Sequence, residues 1–231
     1  MSRHNLHKEM ILKVAEALGP ALCQEMAFVG GSTTGLLLTD DFAKEQVRYT
    51  DDVDLIVSVV GYAGWAQLQE RLRQYGFTDS MEDTVICRMR LGELQVDFMP
   101  DDDTLGFSNQ WYQQALTTAE NYQLSDSVQI RLVTPAYFVA TKLEAYKGRG
   151  NDDPLASRDM EDLLNIIDGR EVLVNELSEA DPLLTEFIGA EFTQLLSNDL
   201  FEYAVQSQAN SDAAREAVLF KRIEAIAKVA P

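Results

Sequence analysis

The sequence predicts an α+β protein, with a mixed β-sheet flanked by helices over residues 1–134 and a mostly helical part over 135–231. Three observations predict it. Residues 27–57 read as an apolar strand, a glycine turn, a helix start, a polar loop and a second apolar strand. Residues 84–91 and 93–99 alternate in polarity around Gly92, the pattern of a hairpin. From Thr134-Pro135 onward, apolar residues recur at helical spacing. A boundary near 134 therefore separates an α/β half from a helical half.

The elements follow in order. Leu6, Met10, Ile11, Val14 and Leu18 share one helical face, with Asn5 as cap and Gly19-Pro20 as stop. Ala27-Phe28-Val29 is a strand that runs into Gly30-Gly31-Ser32, and a helix is expected over 33–38. The second strand occupies the apolar run 53–60. Gly61 opens a helix with Trp65, Leu68, Leu72 and Tyr75 on its core face, and Gly76 ends it. In the hairpin, Leu94, Val96 and Phe98 face one way, and Gln95, Asp97 and Met99 the other. Asp101-Asp102-Asp103 is an acidic turn, residues 108–119 read as helix, and 127–133 as a further strand. Thr134 caps a helix over 135–147 with Pro135 at its first position. Ser157 caps another that Gly169 stops. Helices continue to the end, broken by a polar loop at 206–212.

Composition narrows the partners. A net charge of −19 repels nucleic acid, so no extended nucleic-acid surface is expected. No apolar run is long enough to span a bilayer, and the N-terminus lacks the apolar core of a signal peptide. The expectation is a cytoplasmic protein without membrane contact. Cys23 and Cys87 lack metal or disulfide spacing and read as buried, reduced thiols. His4 and His7, the only histidines, read as part of a frayed, solvated end. Catalysis here would rest on carboxylates.

Asp52 and Asp54 alternate along one strand and project to one side. Two adjacent carboxylates repel, and a hard cation relieves them; Mg²⁺ suits such oxygen ligands, with Mn²⁺ as the alternative ion. Gly31 and Ser32 sit where backbone and hydroxyl can approach a phosphate. The plainer readings are a serine N-cap and solvated acids. Asp97 stands alone in mid-strand: either the third carboxylate of a site, or an Asp on an open sheet face. Lys142, Tyr146 and Arg149 share one side of a helix, and Asp159 and Asp162 share one face of the next. Helix-dipole complementarity is the plain reading of those two acids, and a surface lysine that of Lys142.

Gly30-Gly31-Ser32 followed by Arg48-x-Thr50-x-Asp52-x-Asp54 resembles the nucleotidyltransferase superfamily related to DNA polymerase β. The long gap between the two motifs looks like the AbiEii-type toxin nucleotidyltransferases of abortive-infection and toxin–antitoxin systems. Ala140-Thr141-Lys142-Leu143-Glu144-Ala145, Arg149 and Arg158-Asp159-Met160-Glu161-Asp162-Leu163 continue the resemblance in order. It implies a nucleotidyltransferase-type sheet, with a helical domain completing the active-site cleft. Asp52 and Asp54 would hold two Mg²⁺ ions on a nucleoside triphosphate, and Asp97 would join the metal site and help activate the acceptor hydroxyl. Gly31 and Ser32 would cradle the β- and γ-phosphates, Lys142 would neutralise the triphosphate, and Asp159 would support the site. The acceptor implied is a tRNA 3′ end, with a toxin role and a cognate antitoxin. A small molecule or a protein hydroxyl is a rival acceptor on this acidic surface. A nucleotide-binding or antitoxin-type module without turnover, paired with a toxin, is the rival class. Departures are Gly-Gly-Ser-Thr-Thr-Gly-Leu at the turn and Asp152-Asp153-Pro154 in the basic loop.

Overall fold

Helix α1 (Arg3–Glu25) opens the chain, capped by Ser2, whose hydroxyl accepts from the Asn5 backbone N–H at 3.3 Å. The cap thus falls three residues before Asn5. Gly19 takes φ 70° and kinks the helix ahead of Pro20, and helix resumes to Glu25 instead of ending there. Ile11, Val14, Leu18 and Leu22 are fully buried. The computed structural model describes residues 2–229. It divides into two compact units: residues up to 36 together with 49–134, and 37–48 together with 135 onward. The sequence division at 134 had placed 37–48 with the sheet.

The first unit is α+β. Its strands are β1 (Met26–Val29), β2 (Asp52–Val57), β3 (Arg88–Leu91), β4 (Leu94–Pro100), β5 (Glu120–Gln123) and β6 (Gln129–Leu132). They form one six-stranded mixed sheet in the order β3-β4-β2-β1-β6-β5. β1 pairs antiparallel with β2 and parallel with β6, and β2 pairs parallel with β4. The hairpin β3–β4 turns at Gly92, although its first strand begins at Arg88 rather than at 84. A 3₁₀ turn (Gly31–Thr33) and a single-turn helix α2 (Thr34–Leu37) follow β1.

Helices cover both sheet faces. Phe77, just past α4 (Gly61–Gln74), meets Phe98 edge-on at 5.4 Å between ring centroids. Phe98 and Asp97 alternate on β4, so this contact lies on the face opposite Asp97. On the Asp97 side, the Tyr112 hydroxyl of α5 (Tyr112–Thr118) sits 3.1 Å from the Met99 sulfur. Strand β5 escapes sequence reasoning: Glu-Asn-Tyr-Gln is an edge strand with most of its side chains in solvent, so it shows no apolar alternation.

The second unit is helical: α3 (Asp41–Glu45), α6 (Pro135–Arg149), α7 (Arg158–Gly169), α8 (Leu173–Ser178), α9 (Pro182–Leu195), α10 (Asp199–Gln208) and α11 (Ala213–Ile226). Side-chain caps start five of them, from Asp40, Ser157, Asp181, Asn198 and Asp212. Helix α7 is the hub. It packs against α3, α6, α10 and α11, and Met160, Leu163, Ile166 and Ile167 are fully buried. The segment 37–48, which past residue 38 reads as a polar loop, is a tie within this unit. The Thr39 and Asp40 N–H groups donate to the Gly169 carbonyl at 2.9 and 3.0 Å, and Arg170 donates to the Leu37 carbonyl at 2.7 Å. A Cβ on Gly169 would lie 2.6 Å from the Ala43 Cβ, so only glycine permits this approach. No helix among the described residues is long and apolar enough to cross a membrane.

Candidate metal centre

Strand pairing builds the centre. In the parallel β2–β4 ladder, Asp54 stands beside Asp97 and Asp52 beside Gln95. Asp52, Asp54 and Asp97 therefore share one face, and a carboxylate oxygen from each lies within 4.8 Å of the others. Asp97 is buried and the other two are half-buried. Three hard oxygen donors at this separation fit Mg²⁺ or Mn²⁺.

The glycine turn abuts the same carboxylates. Gly30 has φ 82° and ψ −174°, a region nearly closed to other residues. A Cβ there would lie within 2.7 Å of the Asp54 Cβ and closer still to its carboxylate. Thr33 closes the turn, its N–H and hydroxyl donating to the Gly30 carbonyl at 3.1 and 2.8 Å. Ser32 is buried, and its hydroxyl has no hydrogen-bond partner among the described residues. Such an orphaned group costs free energy unless a ligand or water meets it. The helical stretch behind it, a 3₁₀ turn running into the single turn α2, nearly matches the helix expected over 33–38, but it is so short that its dipole adds little. The turn and the Ser32 hydroxyl are what remain for a phosphate.

Of the two glycines in the turn, Gly30 is the one that makes room for Asp54. Gly30→Ala should cost about 1–3 kcal/mol from backbone strain alone. It should also weaken Mn²⁺ binding, because Asp54 must shift. Urea denaturation and a Mn²⁺ titration check both effects.

Two more residues enter the site unannounced. His7 is 1 % exposed, and its Nε2 accepts the Thr50 backbone N–H at 3.3 Å. The Thr50 hydroxyl donates a short hydrogen bond to Asp52. The reading of His7 as a frayed, solvated end is overturned. Capped at Ser2, α1 is ordered from its first turn, and residues 7, 11, 14 and 18 form one buried stripe. The other residue is Arg88 on β3. Its guanidinium pairs with both Asp97 oxygens at 2.7 and 2.8 Å and reaches Asp52 at 3.4 Å. It also donates to Gln95. Hydrogen bonds to Asp97 push its pKa above the ordinary arginine value, so its charge is fixed.

The hairpin register carried the signal for Arg88. Counting back from Leu91 opposite Leu94 places Arg88 opposite Asp97. Cys87, next to Arg88, is a buried free thiol, as is Cys23. Burial first, then the charges of Asp97 and Asp54, push Cys87 up to about 12, which makes it inert at neutral pH.

In the helical unit, Lys142 and Asp159 are engaged with one another. Lys142 is only 6 % exposed, and its ammonium lies 2.7 Å from Asp162 and 3.1 Å from Asp159. Arg48 takes both Asp162 oxygens at 2.9 and 3.0 Å, and Arg149 both Asp159 oxygens at 2.7 and 2.8 Å. This differs from the open phosphate ligand that the resemblance implies for Lys142: two carboxylates already match its charge.

The network is acid-sensitive. Burial raises the Asp159 pKa, but the Arg149 hydrogen bonds and the charges of Lys142 and Arg149 outweigh it and hold the group at about 2, below the ordinary 3.8. A carboxylate depressed in the folded state stabilises the fold above its unfolded pKa and loses that contribution as pH falls through its folded one. The window thus runs from about pH 4 down to about pH 2. Asp159→Asn should remove about 2 kcal/mol of the stability change across that window. Denaturant titrations at stepped pH measure it.

No protein-family model matches this chain, and a search of curated proteins returns no match.

Proposed function

We propose that the chain is a divalent-metal-dependent nucleotidyltransferase. It would move a nucleoside monophosphate from a nucleoside triphosphate to an acceptor hydroxyl. The register of β2 against β4 carries this reading, because it sets three carboxylates around one point beside a glycine turn. The resemblance of Gly30-Gly31-Ser32 and Arg48-x-Thr50-x-Asp52-x-Asp54 to that superfamily agrees with it.

Asp52 and Asp54 would hold Mg²⁺ or Mn²⁺, with Asp97 as third ligand. When bound, the ion neutralises the triphosphate and polarises its α-phosphoryl group. The remaining steps belong to the chain. Gly31 and Ser32 meet the β- and γ-phosphates through backbone N–H and the orphaned hydroxyl. Thr50, held by His7, keeps Asp52 oriented. Asp97 accepts the proton as the acceptor oxygen bonds to the α-phosphorus. The bond to the pyrophosphate oxygen breaks, and pyrophosphate leaves with that electron pair. Lys142 and Asp159 are assigned to holding the helical unit together.

A binding module without turnover is the second reading, and Arg88 favours it, since both Asp97 oxygens are engaged. Label transfer separates the two. Protein with Mg²⁺ meets each α-labelled nucleoside triphosphate, together with short RNA ends, extract protein and aminoglycosides as acceptors. Label on one acceptor class, with pyrophosphate released, supports the transferase and names its acceptor. Nucleotide binding without transfer to any acceptor favours the module. With a net charge of −19, a short RNA end or a small acceptor fits better than a long duplex.

A further inference from the structure

We infer that Arg88 is a built-in cation of the metal centre. It holds Asp97 and Asp52 together before a divalent ion arrives and sets the affinity with which that ion binds. Three carboxylates within 4.8 Å of one another repel strongly when nothing positive stands among them. Arg88 supplies that charge from within the fold. It comes from the neighbouring strand, directly opposite Asp97 in the ladder. Its fork matches both Asp97 oxygens, and one of the same nitrogens reaches Asp52. The side chain is only 16 % exposed, so the pair is shielded from solvent, and Gln95 fixes the guanidinium further. An incoming cation needs those same Asp97 and Asp52 oxygens. Arginine and metal therefore compete, and the guanidinium must yield Asp97 before that carboxylate can ligate or accept a proton.

This role rests on the metal-centre reading above, and its test is arranged to tell the two apart. Wild type, Arg88→Gln, Arg88→Lys and Asp54→Asn are titrated with Mn²⁺, followed by electron paramagnetic resonance. Their melting temperatures are measured in chelator and in saturating Mn²⁺. Removing one positive charge beside a divalent ion should tighten binding about tenfold even at the water-like end of the dielectric range. So Arg88→Gln should bind Mn²⁺ about tenfold more tightly. It should melt lower than wild type in chelator and gain more from the metal. Arg88→Lys, which keeps the charge and loses the fork, should stay near wild-type affinity. A merely structural arginine would instead make both variants bind alike. Mn²⁺ binding by Arg88→Gln that is equal to or weaker than wild type, with wild type binding normally, overturns the Arg88 role and leaves the centre standing. Absence of binding in wild type and Arg88→Gln alike overturns both.

Discussion

Asp54→Asn should abolish nucleotidyl transfer, by about a thousandfold or more, while leaving the protein folded. Asp54 is the central carboxylate of the three. It pairs with Val29 on one side and Asp97 on the other, and its carboxylate fills the space that a side chain on Gly30 would need. Asparagine keeps the shape and removes the charge, so the β2 ladder and the glycine turn should survive. In chelator the variant should melt no lower than wild type, because one of three mutually repelling carboxylates is gone. Sites built for function are often unfavourable for stability in this way. Mn²⁺ affinity should fall together with transfer. A variant that loses transfer but melts well below wild type in chelator would show a folding defect instead. A variant that keeps transfer would remove Asp54 from the chemistry.

The two halves of this centre were not equally legible in the sequence. Alternation put Asp52 and Asp54 on one face, and Asp97 on the face away from Val96 and Phe98, because a strand has period two. That Asp97 joins the first two depends on β4 lying parallel beside β2. The pairing spans some forty residues, and local pattern says nothing about it. His7 hid behind its position near a terminus, although its spacing to Ile11, Val14 and Leu18 matched the buried stripe. Arg88 hid because Arg-x-Arg on a strand looks like an ordinary solvated face. Residues 39–48 looked like a loop ahead of the second strand. Their partners are Gly169 and Asp162, more than a hundred residues on, and such contacts leave no local periodicity. The caps at Ser157 and the turn at Gly92 were readable for the opposite reason: their partners lie within a few residues.

Lys142→Ala should destabilise the helical unit by about 3–5 kcal/mol, the usual cost of breaking a buried pair by removing one partner. Asp162 has no exposed surface and Asp159 almost none, so neither carboxylate can turn to water for compensation. Each would keep one arginine: Arg48 on Asp162, Arg149 on Asp159. The burial that first lowers the Lys142 pKa is outweighed by the Asp162 and Asp159 charges, which raise it. The lysine therefore stays charged in the folded state across the neutral range and matters there. Arg149→Ala is the contrasting case. Its side chain is 71 % exposed and its own charge can turn to water, but it leaves the buried Asp159 with Lys142 alone, so its loss should cost about 1–2 kcal/mol. Urea denaturation of the two variants should thus differ about two- to threefold, although each removes one positive charge from the same cluster. Equal costs would mean that net charge, not burial, holds the network. The contrast also governs how activity is read. A Lys142 variant that is inactive and partly unfolded says nothing about phosphate. One that is fully folded under assay conditions and still inactive would return Lys142 to the triphosphate.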